Sequence, residues 1–226
     1  MNTKNISASL LAVAMCATAS QADLVGVLDI TTGTGFTQSI SIDGTQVAPD
    51  AVLWSTQLIT DEFSVAVTMV GNPDAPTLGT VVQATNSSGD AMQMTVDFTI
   101  PIAPMSGGEA FWAGSLAASL DGTDVLLESI LDTAIWTASI GNDSVGTLFD
   151  APFQLAVVGT GSNNAMDSGS GSFMWSGGDT LAVHFSFALD SGASVMFNGG
   201  FGVIPGPGTL ALLGLCPFMS RRRRTC

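Results

Sequence analysis

An all-β fold, an antiparallel β-sandwich of jelly-roll type, is predicted by three features of this sequence. Apolar and polar residues alternate with a period of two; Met92, Met94, Val96, Phe98 and Ile100 interleave with Gln93, Thr95, Asp97 and Thr99. That period is what a strand with one buried and one wet face requires. Glycine-rich turn sequences separate such stretches, and no long helical stripe competes with them.

Taken in order, Phe63, Val65, Val67 and Met69 predict one strand, and Leu181, Val183, Phe185, Phe187 and Leu189 another. A last strand is expected over residues 193–203, with Val195, Phe197, Phe201 and Val203 on one face. Asp43-Gly44, Asp121-Gly122 and Asn142-Asp143 stand where hairpin turns are expected. Residues 125–132 carry an apolar spacing open to a short helix; from Ala134 the β-rich run Ala-Ile-Trp-Thr-Ala-Ser-Ile favours a strand. Residues 161–172, GSNNAMDSGSGS, read by composition as a flexible loop.

The ends of the chain differ from its middle. Residues 1–22 carry Lys4, an apolar core from 10 to 19 and then Ser20-Gln21-Ala22, which predicts a signal peptide cleaved between Ala22 and Asp23. Met15 is larger than the small residue a lipidation site needs before Cys16, which argues against a lipid anchor. The remaining cysteines, Cys216 and Cys226, lie in the tail, so the domain expected over residues 23–204 has no internal disulfide. All 19 acidic residues fall within that domain, and all five basic ones (Lys4, Arg221, Arg222, Arg223 and Arg224) fall outside it. Without a single lysine or arginine the domain cannot neutralise phosphates, which excludes nucleic acid as a partner.

The tail, residues 205–226, reads Pro205-Gly206-Pro207, an apolar segment at 209–219 expected to be a short helix, and the arginine block at 221–224. An apolar run followed by a basic block describes a segment held in a membrane with its charged end in the cytoplasm. Eleven helical residues span roughly 16 Å, against a bilayer core of about 30 Å, so transient retention fits better than a permanent anchor. This combination at the end of the chain resembles a PEP-CTERM sorting signal. The resemblance implies export by a bacterium of Gram-negative type that makes extracellular polysaccharide, with an exosortase, a membrane enzyme, acting on the tail. Gly206 stands where that family has a glutamate.

Candidate chemistry is sparse. His184 is the single histidine; it alternates with Val183 and Phe185 and is expected on the polar face, without a second histidine or a cysteine to complete a zinc site. Phe187-Ala188-Leu189-Asp190-Ser191-Gly192-Ala193 resembles the aspartic-protease signature, and a second Asp-Ser-Gly stands at 167–169. Those enzymes need two such aspartates side by side, and a strand running into a turn is the better account of Asp190. No Gly-x-Ser-x-Gly elbow occurs, and no carboxylate spacing singles out a glycosidase pair. Asn86-Ser87-Ser88 and Asn142-Asp143-Ser144 match the N-glycosylation pattern. Asp121, Asp124 and Asp143 are turn-adjacent candidates for a calcium ion.

The expectation is therefore a non-enzymatic exported protein of the cell surface or extracellular matrix, with no catalytic residues and no obligate cofactor. The alternative is a carbohydrate- or cation-binding module, and less readily a glycan-active enzyme, on the same sandwich. Trp54, Trp112, Trp136 and Trp175 are the aromatics that would form a sugar platform or else fill the core.

Overall fold

The computed structural model describes residues 24–205. The expected signal peptide and its cleavage site at Ala22 and Asp23, the three cysteines, Gly206, Pro207, the apolar segment and the arginine block lie outside the described residues; Pro205 is the last residue of a strand.

Within that span the chain is all-β. Eleven strands follow one another: β1 (Val25–Thr32), β2 (Thr37–Asp43), β3 (Thr45–Ala48), β4 (Ala51–Ile59), β5 (Phe63–Asn72), β6 (Thr77–Asn86), β7 (Met92–Ser129), β8 (Trp136–Ile140), β9 (Asp143–Leu148), β10 (Gln154–Leu189) and β11 (Ser194–Pro205). Every pairing is antiparallel. The order is β3-β4-β5-β6-β11-β7-β10-β8-β9, with β1 on β7 and β2 on β1. No described residue is helical, so no described helix is long and apolar enough to cross a membrane.

Two strands are unusually long. β7 has 38 residues and β10 has 36, and they pair along almost their whole lengths, from Leu189 opposite Met92 to Gln154 opposite Glu128. The first part of β7 also pairs with β1, and its later part, from Ala110 to Asp121, pairs with β11. The end of β10 meets both ends of β7, with Phe187 opposite Met94 on one side and Ser129 on the other. This double contact curls the network until it is nearly barrel-shaped.

The predicted alternation holds. Met92, Met94, Val96, Phe98 and Ile100 are all buried, as are Phe63, Val65, Val67 and Met69 and the odd-numbered residues of β10 from Leu181 to Leu189. Aromatic contacts join the strands across the core: Phe197 of β11 lies 5.2 Å from both Phe185 and Phe187 of β10, and Trp54 of β4 lies edge-on to Phe98 of β7 at 6.2 Å. A fully buried phenylalanine contributes roughly 1.5–3 kcal/mol by removing apolar surface from water.

Five local expectations are corrected. Residues 161–172 are not a flexible loop but regular strand within β10, paired with β7 from Gly122 to Phe111. Small residues there suit a strand whose inward face must admit Trp112: an added Cβ at Gly169 would come within 2.7 Å of that ring, and one at Gly146 of β9 within 2.2 Å. Residues 125–129 belong to β7, not to a helix, because the ladder to β10 uses their amides, and the next strand starts at Trp136, not Ala134. Asp121-Gly122 makes no turn; the strand runs on through it and bends at Asp124, whose φ is 52°, opposite a bulge between Val157 and Thr160. Asp43-Gly44 is no hairpin either, since β2 pairs with β1 and β3 with β4, so Gly44 lies where the chain passes from one pairing partner to another. Asn142 does sit in the expected β8–β9 turn, with Ile140 opposite Asp143.

The Asn86 sequon is structural. Asn86 is completely buried; its Nδ2 donates to the carbonyls of Asp90 (2.9 Å) and Leu189 (2.8 Å), and its Oδ1 accepts from the amide and hydroxyl of Ser88. It ties the β6–β7 turn to the end of β10 and is inaccessible to glycosylation. Replacing it strands buried partners, so Asn86→Ala is expected to cost roughly 2–4 kcal/mol. Asn142→Ala, at an exposed turn, should stay within about 0.5 kcal/mol. Urea unfolding of the two variants checks the contrast.

Candidate functional site

A domain with 19 carboxylates and no lysine or arginine must satisfy its acids by other means, and the structure shows how. Backbone amides serve. Asp190, in the β10–β11 turn, accepts from the amide of Leu126 at 2.8 Å, while its own amide donates to the Leu126 carbonyl. Asp167 on β10 accepts from the amide of Phe149 at 2.6 Å and from that of Ser168 at 2.8 Å. Phe149 has a φ of 54°, a conformation bulky residues rarely adopt, and the Asp167 carboxylate holds it there. Asp124 accepts from the amide of Gly159 at 2.7 Å, across the bend in β7.

These contacts bear on the protease-like motif. Asp190 and Asp167 face different elements, and each is engaged with main-chain amides; the two Asp-Ser-Gly sequences form no carboxylate pair. His184 stands on the outer face, partly exposed, with Nδ1 paired to the Asp97 carboxylate on the neighbouring strand. Register places Asp29 of β1 directly opposite Asp97, so the row across these strands reads Asp29, Asp97, His184, Thr137. Like charges in directly opposed positions oppose pairing, and His184 is the sole side chain in the domain able to offset that repulsion with positive charge.

The three calcium candidates do not converge. Asp121 lies in β7 opposite Ser162 and Ser194, Asp124 is engaged with Gly159, and Asp143 opens β9. No group of three or more histidine, cysteine or acidic side chains is placed to hold a metal among the described residues. Asp143 accepts from both the amide and the hydroxyl of Ser176, each at 2.7 Å. These bonds, the amide's first, hold its carboxyl below the ordinary aspartate value.

Among the described side chains, Trp54, Trp112 and Trp136 form no sugar platform. Trp54 and Trp136 are core residues, and Trp112 packs against the glycines of β9 and β10; the side chain of Trp175 lies outside the described residues.

What composition did not reveal is a shallow open groove of about 750 Å³ on the outer face of β5, β6, β11 and β7, lined by Asp50, Asn72, Thr77, Gly79, Ser115 and Gly200 among others. Register explains it: Val70, Gly79, Gly200 and Ser115 form one row across four strands, and two of the four have no side chain. At Gly79 an added Cβ would meet only the Val70 carbonyl, at 3.7 Å, so packing does not demand glycine there. The cross-strand glycine row had no signal in the linear sequence because its members are far apart along the chain.

No protein-family model matches the chain, and no curated protein matches it. Among solved structures it is similar to the enzymatically active domain of tailspike protein 4 from bacteriophage CBA120, at 17% identity and a TM-score of 0.28, over 69% of this chain. The chain spans 20% of that tailspike's length. It is also similar to the structure of infectious bursal disease virus, Gx strain, at 12% identity and a TM-score of 0.18, over 85% of this chain and 63% of the viral one. Likeness at this level decides neither activity nor ligand.

Two expectations follow. Asp190→Asn keeps an oxygen that accepts from Leu126, so it should cost under about 1 kcal/mol, whereas Asp190→Ala should cost roughly 1–3 kcal/mol; acid-protease activity abolished by Asp190→Asn would restore the catalytic reading. Because the folded carboxyl of Asp143 sits below its unfolded value, its stabilising contribution is complete above the unfolded value and is lost as pH falls through the folded one. Carboxyl NMR titration should place Asp143 below an unstructured aspartate, and Ser176→Ala should bring it back toward that reference.

Proposed function

We propose that this chain is an exported, non-enzymatic protein of the cell surface or extracellular matrix, sorted through its C-terminal tail. One observation carries the reading: the division of charge and hydropathy along the sequence, with every basic residue in the two end segments and every acidic one in the domain between them. In this reading residues 1–22 direct export and are cleaved between Ala22 and Asp23. Pro205, Gly206 and Pro207 form the recognition element, residues 209–219 hold the chain in the membrane, and Arg221, Arg222, Arg223 and Arg224 keep its end in the cytoplasm until an exosortase-type enzyme acts. The engagement of Asp167 and Asp190 with main-chain amides supports a non-catalytic domain. For the fold, the two separate sets of partners along β7 and β10 support a jelly-roll-like sandwich in which these strands pass from one layer to the other.

A second reading, a module that binds neutral carbohydrate or a cation, is favoured by the groove over Gly79 and Gly200. Its glycine floor leaves main-chain groups within reach of a flat, uncharged ligand.

Intact mass of protein released by native cells tests the first reading: the mature species should lack residues 1–22 and the arginine block, and neutral replacements at 221–224 should impair sorting. Recovery of chain extending through Cys226 in the extracellular pool would overturn release. A glycan array tests the second, since Gly79→Gln should fill the groove and abolish any binding found, without unfolding the domain.

A further inference from the structure

The outer face formed by β4, β5, β6, β11, the later part of β7 and the first part of β10 differs from the rest of the molecule. Its rows run across six strands in register: Leu53, Val70, Gly79, Gly200, Ser115 and Ser168 in one, and Ser55, Thr68, Val81, Asn198, Ala117 and Met166 in the next. The outward positions of these strands carry two charges, Glu109 and Asp121, both on β7 and at opposite ends of the face, and Asp50, just before β4, adds a third at the edge of the groove. Seven of the ten large apolar side chains exposed among the described residues lie here, including Ile59, Val70, Phe111, Met166, Met196 and Ile204. By contrast, the outward positions of β1, β2 and the first part of β7 carry Asp29, Asp43 and Asp97.

We propose that this face docks a second copy of the same chain, related by a two-fold axis. Two arguments favour that occupant. The first is charge. Two domains of 19 carboxylates each repel wherever their acids approach, and a face whose centre is uncharged is where they can close. Asn198 lies about 13 Å along the strand direction from the row of Asp121, beyond the screening length of about 8 Å at physiological salt. An anionic membrane or a polyanion would be repelled by the acids around the rim, and the domain offers no lysine or arginine to hold either. The second argument is area. Six strands spaced about 4.8 Å apart and nine residues of about 3.3 Å each give a face of roughly 860 Å², close to the roughly 800 Å² per partner of a stable protein–protein interface. Exposed apolar area concentrated on one side of a monomer marks such an interface. Two-fold symmetry makes the contact self-complementary and closed, which stops assembly at two. In the pair, the groove over Gly79 and Gly200 receives side chains from its opposite number.

Sedimentation velocity of the full chain over a range of concentrations tests this. Wild type should sediment as a dimer. Thr68→Asp/Asn198→Asp, which places two new carboxylates at the centre of the face on exposed positions, should weaken dimerisation at least tenfold while leaving the circular dichroism spectrum unchanged. Gln93→Glu, which adds a charge to the charged side, should leave the dimer intact. A monomer at every concentration would overturn the proposal. Association untouched by the double substitution would do the same and assign it to the tail. Neutral polysaccharide binding to the monomer that the double substitution blocks would also overturn it, and would assign the face to glycan.

Discussion

The ladder between β7 and β10 is the interaction on which the rest of this structure depends. These two strands supply partners to β1, β8 and β11 and through them reach every other strand. The hydrogen bonds of the ladder are individually modest, on the order of 1 kcal/mol net each. Its importance is geometric: it fixes which residues of two distant segments face inward together. Leu181 meets Ile100, Val183 meets Phe98 and Phe185 meets Val96, so one register buries a whole set of side chains. A slip of one residue would turn all of them to solvent. The ladder therefore carries the specificity of the fold, while the buried aromatic and aliphatic side chains carry most of its stability.

A second constraint comes from composition. With no lysine or arginine in the folded domain, carboxylates have no conventional ionic partners, and the structure places several of them against main-chain amides at bends. A charged acceptor strengthens such a bond relative to a neutral one. Asp124 and Asp167 each steady a backbone that departs from regular strand geometry, at Asp124 itself and at Phe149. Asp167 and Asp190, which resemble catalytic residues in sequence, are thus each bound to the main chain. The remainder contribute a net negative field, which keeps the protein soluble and destabilises the compact state through self-repulsion.

The same charge arrangement connects scaffold to function. On the proposed reading, a negative domain bounded by an apolar, basic tail suits export and brief retention at a membrane, and the sparsely charged face suits association with a like copy. Both readings arise from where charge is missing. Unlike most soluble domains, this one has no lysine or arginine with which to offset a badly placed acid, so charge must be kept away from any surface that is to be covered.

The sequence by itself determined the strand character, the buried faces and the export and sorting expectations, because these depend on local periodicity and on charge counted along the chain. It was legible for β5, the first part of β7, the end of β10 and β11, where alternation is strict and one face is fully buried. It misled at residues 161–172 and at Asp121-Gly122, since small polar residues signal a loop unless a partner strand supplies their hydrogen bonds, and that partner, the later part of β7, is some 40 to 60 residues away in sequence. The burial of Asn86, the pairing of His184 with Asp97 and the separation of Asp167 from Asp190 were decided by tertiary structure alone. So were the glycine row at Gly79 and Gly200 and the sparsely charged face around it, because cross-strand neighbours are set by register, and register is a property of strands that have already found one another.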